Sequence, residues 1–184
     1  KPFQDYSEHN VVNLFALDTA TGSKGTPVAI ATVSGWTNSQ ALTQTNTLPY
    51  NPASNRYYSP RWAVVATVRK AVTGEKPFGI QLYDVKETDQ FGGPAIYNKQ
   101  WCDENQCSNS GWPVPVLRQG MLLVGPFPTT DQPPLVGAYA AVRGTGDWGV
   151  VSAVSGVVPT GAFGRFLGGK DADGYALVDI DCRL

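Results

Sequence analysis

The chain has a single histidine, a single methionine and few charges of either sign, with 14 Lys and Arg against 15 Asp and Glu in 184 residues. Each scarcity excludes something. His9 lies in a polar stretch, Glu8-His9-Asn10, that reads as part of an arm. A Ser-His-Asp or Cys-His mechanism would depend on it, and such a base must be held within about 0.5 Å of its working position. A polar arm does not do that, so no catalytic residue is assigned and the chain is read as a non-enzyme. The net charge of −1 leaves no basic stripe to neutralise phosphates, which argues against a nucleic-acid partner. No apolar run approaches the ~18 residues that a membrane helix needs, so no membrane partner is expected. Charged residues make up only 16%, fewer than a small soluble monomer normally carries, which points to an outside covered by neighbours. The residues near Lys1 lack the charged, apolar, small-residue order of a secretory signal.

Cysteine is scarce too. An odd count, Cys102, Cys107 and Cys182, speaks against a secreted disulfide scaffold. Four residues separate Cys102 from Cys107, enough for a small disulfide ring, but no further Cys or His pair completes a zinc site. Asp171, Asp173, Asp179 and Asp181 resemble a calcium loop only superficially, because the spacing is wrong and no distal Glu follows. Asp173-Gly174 before an alternating apolar run is instead a hairpin signal. A carboxylate pair for glycoside hydrolysis could be drawn from Asp84, Glu87 and Asp89, but nothing in the chain fixes their separation. Gly164 to Gly169 lacks the Lys-Ser/Thr of a phosphate loop. No metal and no cofactor are expected.

What is plentiful is punctuation and β-branched residues: 20 Gly and 14 Pro break up runs of Val, Thr and Tyr. Helical periodicity is almost absent, save for a turn near Ser39 to Thr45. The fold class is therefore all-β, a barrel or sandwich of short antiparallel strands. Residues 1–10 read as an extended N-terminal arm and 11–184 as a single all-β domain. Strands are expected at Val11–Leu17, Pro27–Val33, Leu135–Val142 and Tyr175–Asp181. Pro113–Leu117 and Met121–Val124 are expected to form a hairpin around Arg118-Gln119-Gly120. The stretch Gly35–Pro60 is a long aperiodic loop, and Tyr83–Gly111 is a polar excursion carrying the two-cysteine segment. Long loops of this kind usually touch something else.

Two stretches repeat one pattern. Trp62 to Val68, a turn at Gly74, then Phe78-Gly79-Ile80-Gln81-Leu82 is matched by Trp148 to Val154, a turn at Gly161, then Phe163-Gly164-Arg165-Phe166-Leu167. A duplicated β unit, with sub-repeats over 61–125 and 135–184, would pair Trp62 with Trp148 and Leu82 with Leu167. It would also bury Phe78 and Phe163, and place Gly79 and Gly164 where a side chain collides with a neighbouring strand.

The repeat carries a resemblance. Val68-Arg-Lys-Ala-Val72-Thr-Gly74-Glu-Lys-Pro-Phe78-Gly79-Ile80 and Val154-Ser-Gly-Val-Val158-Pro-Thr-Gly161-Ala-Phe163-Gly164 resemble a signature of small β-barrel virion proteins of tailed bacteriophages, the capsid decoration or cement type. Gly174-Tyr-Ala-Leu-Val-Asp-Ile180 resembles the strand that closes the same unit. The resemblance implies a structural protein of the virion, assembled in the host cytoplasm. It implies the major capsid protein or other virion subunits as partners, with the chain a homo-oligomer or lattice-bound. The irregular segments would carry that interface, with Trp36, Tyr50, Tyr57, Tyr58, Trp101 and Trp112 as anchors. The competing reading is a β-sandwich carbohydrate- or receptor-binding module, since Trp101 and Trp112 flank the cysteine segment and aromatic faces stack on sugar rings. A small hydrolase has only scattered acids in its favour.

Overall fold

A computed structural model describes residues 4–31, 67–127, 134–151 and 157–183. It is mostly β. Strands β2 (Val11–Leu17), β3 (Pro27–Ile30), β4 (Thr67–Lys70), β5 (Gly79–Gln81) and β8 (Pro113–Leu117) close a barrel in the order β2-β4-β3-β5-β8. A second sheet has the order β1-β9-β13-β12-β10-β11. Its members are β1 (Gln4–Asp5), β9 (Gln119–Val124), β10 (Tyr139–Arg143), β11 (Asp147–Val151), β12 (Gly164–Phe166) and β13 (Ala176–Asp181). Two short parallel strands, β6 (Asp84–Lys86) and β7 (Cys107–Asn109), make a third.

The barrel and the larger sheet are the same unit built twice. Round the barrel the strands run β2-β8-β5-β3-β4, and across the sheet β9-β13-β12-β10-β11, with chain order matching position by position. The registers match as well. Val28 faces Gly79 as Ala140 faces Gly164, and Gln81 faces Val116 as Phe166 faces Val178. The Phe78 N–H donates to Val28 O at 2.7 Å and Phe163 N–H to Ala140 O at 3.0 Å. Gly25 N–H reaches Gln81 O at 2.7 Å, while Gly137 N–H reaches Phe166 O at 2.8 Å, with both glycines at positive φ, 84° and 81°. The closure differs. In the barrel, Ala16 and Leu17 pair in parallel with Thr67 and Val68. In the second unit the outer edge of β9 is taken by β1, through Gln4 on Leu122 and Asp5 on Met121. Part of the polar arm is thus a seated edge strand.

Three expectations do not hold. Pro113–Leu117 and Gln119–Val124 are not a hairpin: β8 pairs with β2 and β5, and β9 with β1 and β13. Arg118 carries the chain from one unit to the other instead of turning it back. Its N–H donates to Asn10 O and its C=O accepts from Cys182 N–H, both at 2.8 Å. The guanidinium lies over the Phe78 ring, 4.6 Å from its centroid. The second correction concerns tryptophan. Val142 faces Trp148, and its counterpart Ile30 faces Val68. The place of Trp148 in the first unit is therefore filled by Val68, while Trp62 lies outside the described residues. A slip by an even number of residues keeps the two-residue alternation of a strand, so the apolar pattern could not separate the two alignments. The expected strand Leu135–Val142 begins late, at Tyr139, because Leu135 to Gly137 turn to bring Gly137 onto Phe166.

The units meet in a core of their own, separate from the barrel interior. Inside the barrel lie Leu17, Val28, Val68, Val114 and Val116. Alternation sends Ala29, Ile80 and Leu117 the other way, into a cluster with Leu122, Val142, Phe163, Phe166, Val178 and Ile180 of the second unit. The β10–β11 turn is tied to the barrel through Thr73 N–H to Gly144 O (3.0 Å), Gly146 N–H to Ala71 O (2.7 Å) and Trp148 Nε1 to Gly25 O (2.7 Å).

Candidate functional site

What distinguishes the two units is where extra chain was inserted. Between β10 and β11 there are three residues, against 36 between β3 and β4; between β12 and β13 there are nine, against 31 between β5 and β8. Both insertions fall in the first unit. The longer one, which holds Trp36, Tyr50, Tyr57 and Tyr58, lies mostly outside the described residues. The other, residues 82–112, is described throughout and is ordered by its own contacts.

Its base is β6 and β7, side by side, with Val85 also bridging Gly22. Asn98 caps a short helix, α1 (Lys99–Glu104), its Oδ1 accepting from Trp101 N–H at 3.2 Å. The periodicity argument missed this helix because six residues hold too few apolar repeats to register. Ala95, Cys102 and Cys107 are buried beneath it. Trp101 packs against that cluster with Lys86 Nζ 5.4 Å from its ring centroid, so it braces the excursion itself. Trp112, the other described residue among those expected as anchors, is 41% exposed.

Two aromatic residues that the sequence reading passed over are more exposed still, Phe91 at 82% and Tyr97 at 65%. Phe91 stands on a tight turn. Asp89 Oδ1 accepts from Phe91 N–H and Gly93 N–H, both at 2.9 Å, and Oδ2 accepts from Asn98 Nδ2 at 3.3 Å. The Asn98 amide, followed by the Phe91 N–H, holds the Asp89 carboxyl below the ordinary aspartate value. Thr88 and Pro94 bridge beneath the turn, and Gly92 supplies the positive φ of 79°. Asp89-Gln90-Phe91-Gly92-Gly93-Pro94 was the signal that could have located it, since Asp accepts from the backbone two residues on and Gly admits the left-handed region.

The acids have separate local duties. Asp84 Oδ1 accepts from Lys24 N–H at 2.8 Å. Asp171 Oδ1 accepts from Asp173 and Tyr175 N–H at 3.0 and 2.8 Å, which builds the Asp-Gly hairpin into β13. Asp181 pairs with Arg183 at 3.0 Å. Among the described residues no three His, Cys, Asp or Glu side chains gather where a metal could be held. His9 is exposed on a single 3-10 turn, Glu8–Asn10.

All three cysteines are free and buried. Burial pushes each thiol upward, and Cys182 reaches about 12. Since the thiolate is the reacting species, the folded protein at pH 8 should resist iodoacetamide at every cysteine. Guanidinium should expose all three. Intact-mass measurement reads the result, and a labelled native thiol would contradict this burial.

Searches among family models, curated proteins and solved structures find nothing that matches the chain.

Proposed function

We propose that the chain is a non-enzymatic structural virion protein, a decoration or cement subunit that grips the major capsid protein or other subunits of a tailed-phage particle. The observation that carries this reading is the insertion of residues 82–112 between β5 and β8, on one unit of a doubled β scaffold. A scaffold that positions loops, with the loops presenting the contacts, is the usual arrangement of a binding protein. The described insertion presents Phe91, Tyr97 and Trp112 to solvent. Aromatic residues of this kind are enriched at interface centres and are a liability on a free monomer. The glycines of the phage-like signature also have a structural reason, because Gly79 and Gly164 occupy matching sites where strands approach closely.

Particles purified from cells that produce the protein should contain it in fixed ratio to the shell protein, read by quantitative mass spectrometry and immunogold labelling. Its absence from particles overturns the proposal. The exposed rings also favour a second reading, stacking on sugars. A glycan array with tryptophan-fluorescence titration tests it, and saccharide binding that disappears in Trp112→Ala would put that reading ahead.

A further inference from the structure

We propose that Phe91 is the anchor of this interface. It inserts into an apolar pocket, rimmed by Lys and Arg, on another virion protein, and Asp89 is the positioning residue that holds it ready. The inference rests on the decoration reading and names the partner surface that reading requires.

An isolated surface phenylalanine needs no explanation, but this one is held out by construction. Three donors converge on Asp89, the Thr88–Pro94 bridge closes the turn beneath it, and Gly92 admits the backbone conformation. All of these order a turn whose tip is an almost fully exposed ring. Among the described residues the Phe91 ring joins none of the buried clusters, so the turn displays it rather than packing it. A partner gains from that order, since ordering carried out beforehand is not charged against binding. Aromatic rings with few rotatable bonds suit such a role.

The charge of the excursion that carries the ring indicates what a partner must look like. Residues 84–112 hold five carboxylates against two lysines, a net charge of −3, while the whole chain is −1. Glu87, Asp103 and Glu104 are exposed. An acidic excursion that carries an exposed apolar ring favours a partner whose apolar pocket is flanked by Lys or Arg, and disfavours a second copy of the same excursion.

The test uses the full chain in cells that produce the particles. Phe91→Ser should lower particle occupancy about thirtyfold, the size expected of an interface hot spot. Phe91→Trp should retain most of it. Asp89→Ala should lower occupancy several-fold, and Asp89→Asn should recover part of it, since its amide oxygen can still accept from Phe91 and Gly93 N–H while the bond from Asn98 Nδ2 is lost. The thermal midpoints of the purified variants should stay within about 2 °C of the parent. A photo-crosslinking phenylalanine analogue at position 91 should join the chain to a different virion protein, at an apolar segment flanked by Lys or Arg. Full occupancy of Phe91→Ser, or crosslinks only to a second copy of the chain, would overturn the anchor while leaving the decoration reading standing. Absence of the parent chain from particles would overturn both.

Discussion

Phe163→Ala should cost about 3–5 kcal/mol of folding stability, and Phe78→Ala about half of that. The two residues occupy the same place in the two units, so the difference comes from their surroundings. Phe163 is 1% exposed at the centre of the shared core, with the Trp148 ring centroid 5.1 Å away. Phe78 is half-buried, packed edge-on against Phe15 at 5.1 Å and covered by the Arg118 guanidinium. Truncating Phe163 leaves a cavity between units that rigid strands cannot close. Truncating Phe78 leaves a gap that the long Arg118 side chain can partly fill. For a domain whose whole stability is about 5–15 kcal/mol, the first change approaches unfolding. Urea denaturation followed by tryptophan fluorescence measures both. Equal losses would mean that the units do not share a core in the manner described.

The second large effect lies one residue along. Gly79→Ala and Gly164→Ala should each destabilise by about 1–3 kcal/mol or more through overpacking. A Cβ at Gly79 would stand 2.5 Å from Leu117 O and 2.5 Å from Val116 Cγ1. A Cβ at Gly164 would stand 2.5 Å from Asp179 O and 3.2 Å from Val178 Cγ1. These are the same two atoms of the same partner strand in each unit. The obstacle is backbone oxygen, which cannot rotate away, so the strand pair itself must part. Substitution at Gly92, where no atom lies within 4 Å, gives a control for backbone conformation without a clash. If Gly79→Ala and Gly164→Ala cost no more than Gly92→Ala, the close strand approach is not what makes glycine necessary there.

The repeat was legible in the sequence only where it is tightest. Phe78-Gly79 and Phe163-Gly164 match because the strand approach admits nothing larger than glycine. The interior positions do not match, since volume was exchanged among neighbours. Val28, Val68 and Val114 of the first unit correspond by register to Ala140, Trp148 and Ala176 of the second. Two smaller residues offset one much larger, a trade that cores tolerate and that erases local similarity. Strand alternation from Ala176 to Asp181 was readable because one face is buried and the other wet, as Val178, Ile180 and Asp179 show. The separation of β8 from β9 was not readable. Arg118-Gln119-Gly120 looks like a turn, and only pairing with distant strands reveals that the chain runs on. The candidate site was half visible. Tryptophans stand out in a sequence by size, whereas Phe91 is distinguished only by the turn that displays it.

The seating of β1 has a mechanical consequence. β1 and β13 lie on opposite sides of β9 and both run antiparallel to it, so they are parallel to each other. A pull applied through the chain ahead of Gln4 and beyond Asp181, in opposite directions, slides both strands along β9. Ladder bonds lie across the strands, so such a load is shared by the rungs together rather than taken one after another. The two pairings carry that load in series, so the two-residue seat of β1 on β9 gives before the six-residue pairing of β13 on β9, from Ala176 on Val124 to Asp181 on Gln119. The same bonds would yield easily to peeling at right angles, which makes the molecule stiff along one axis and weak along another.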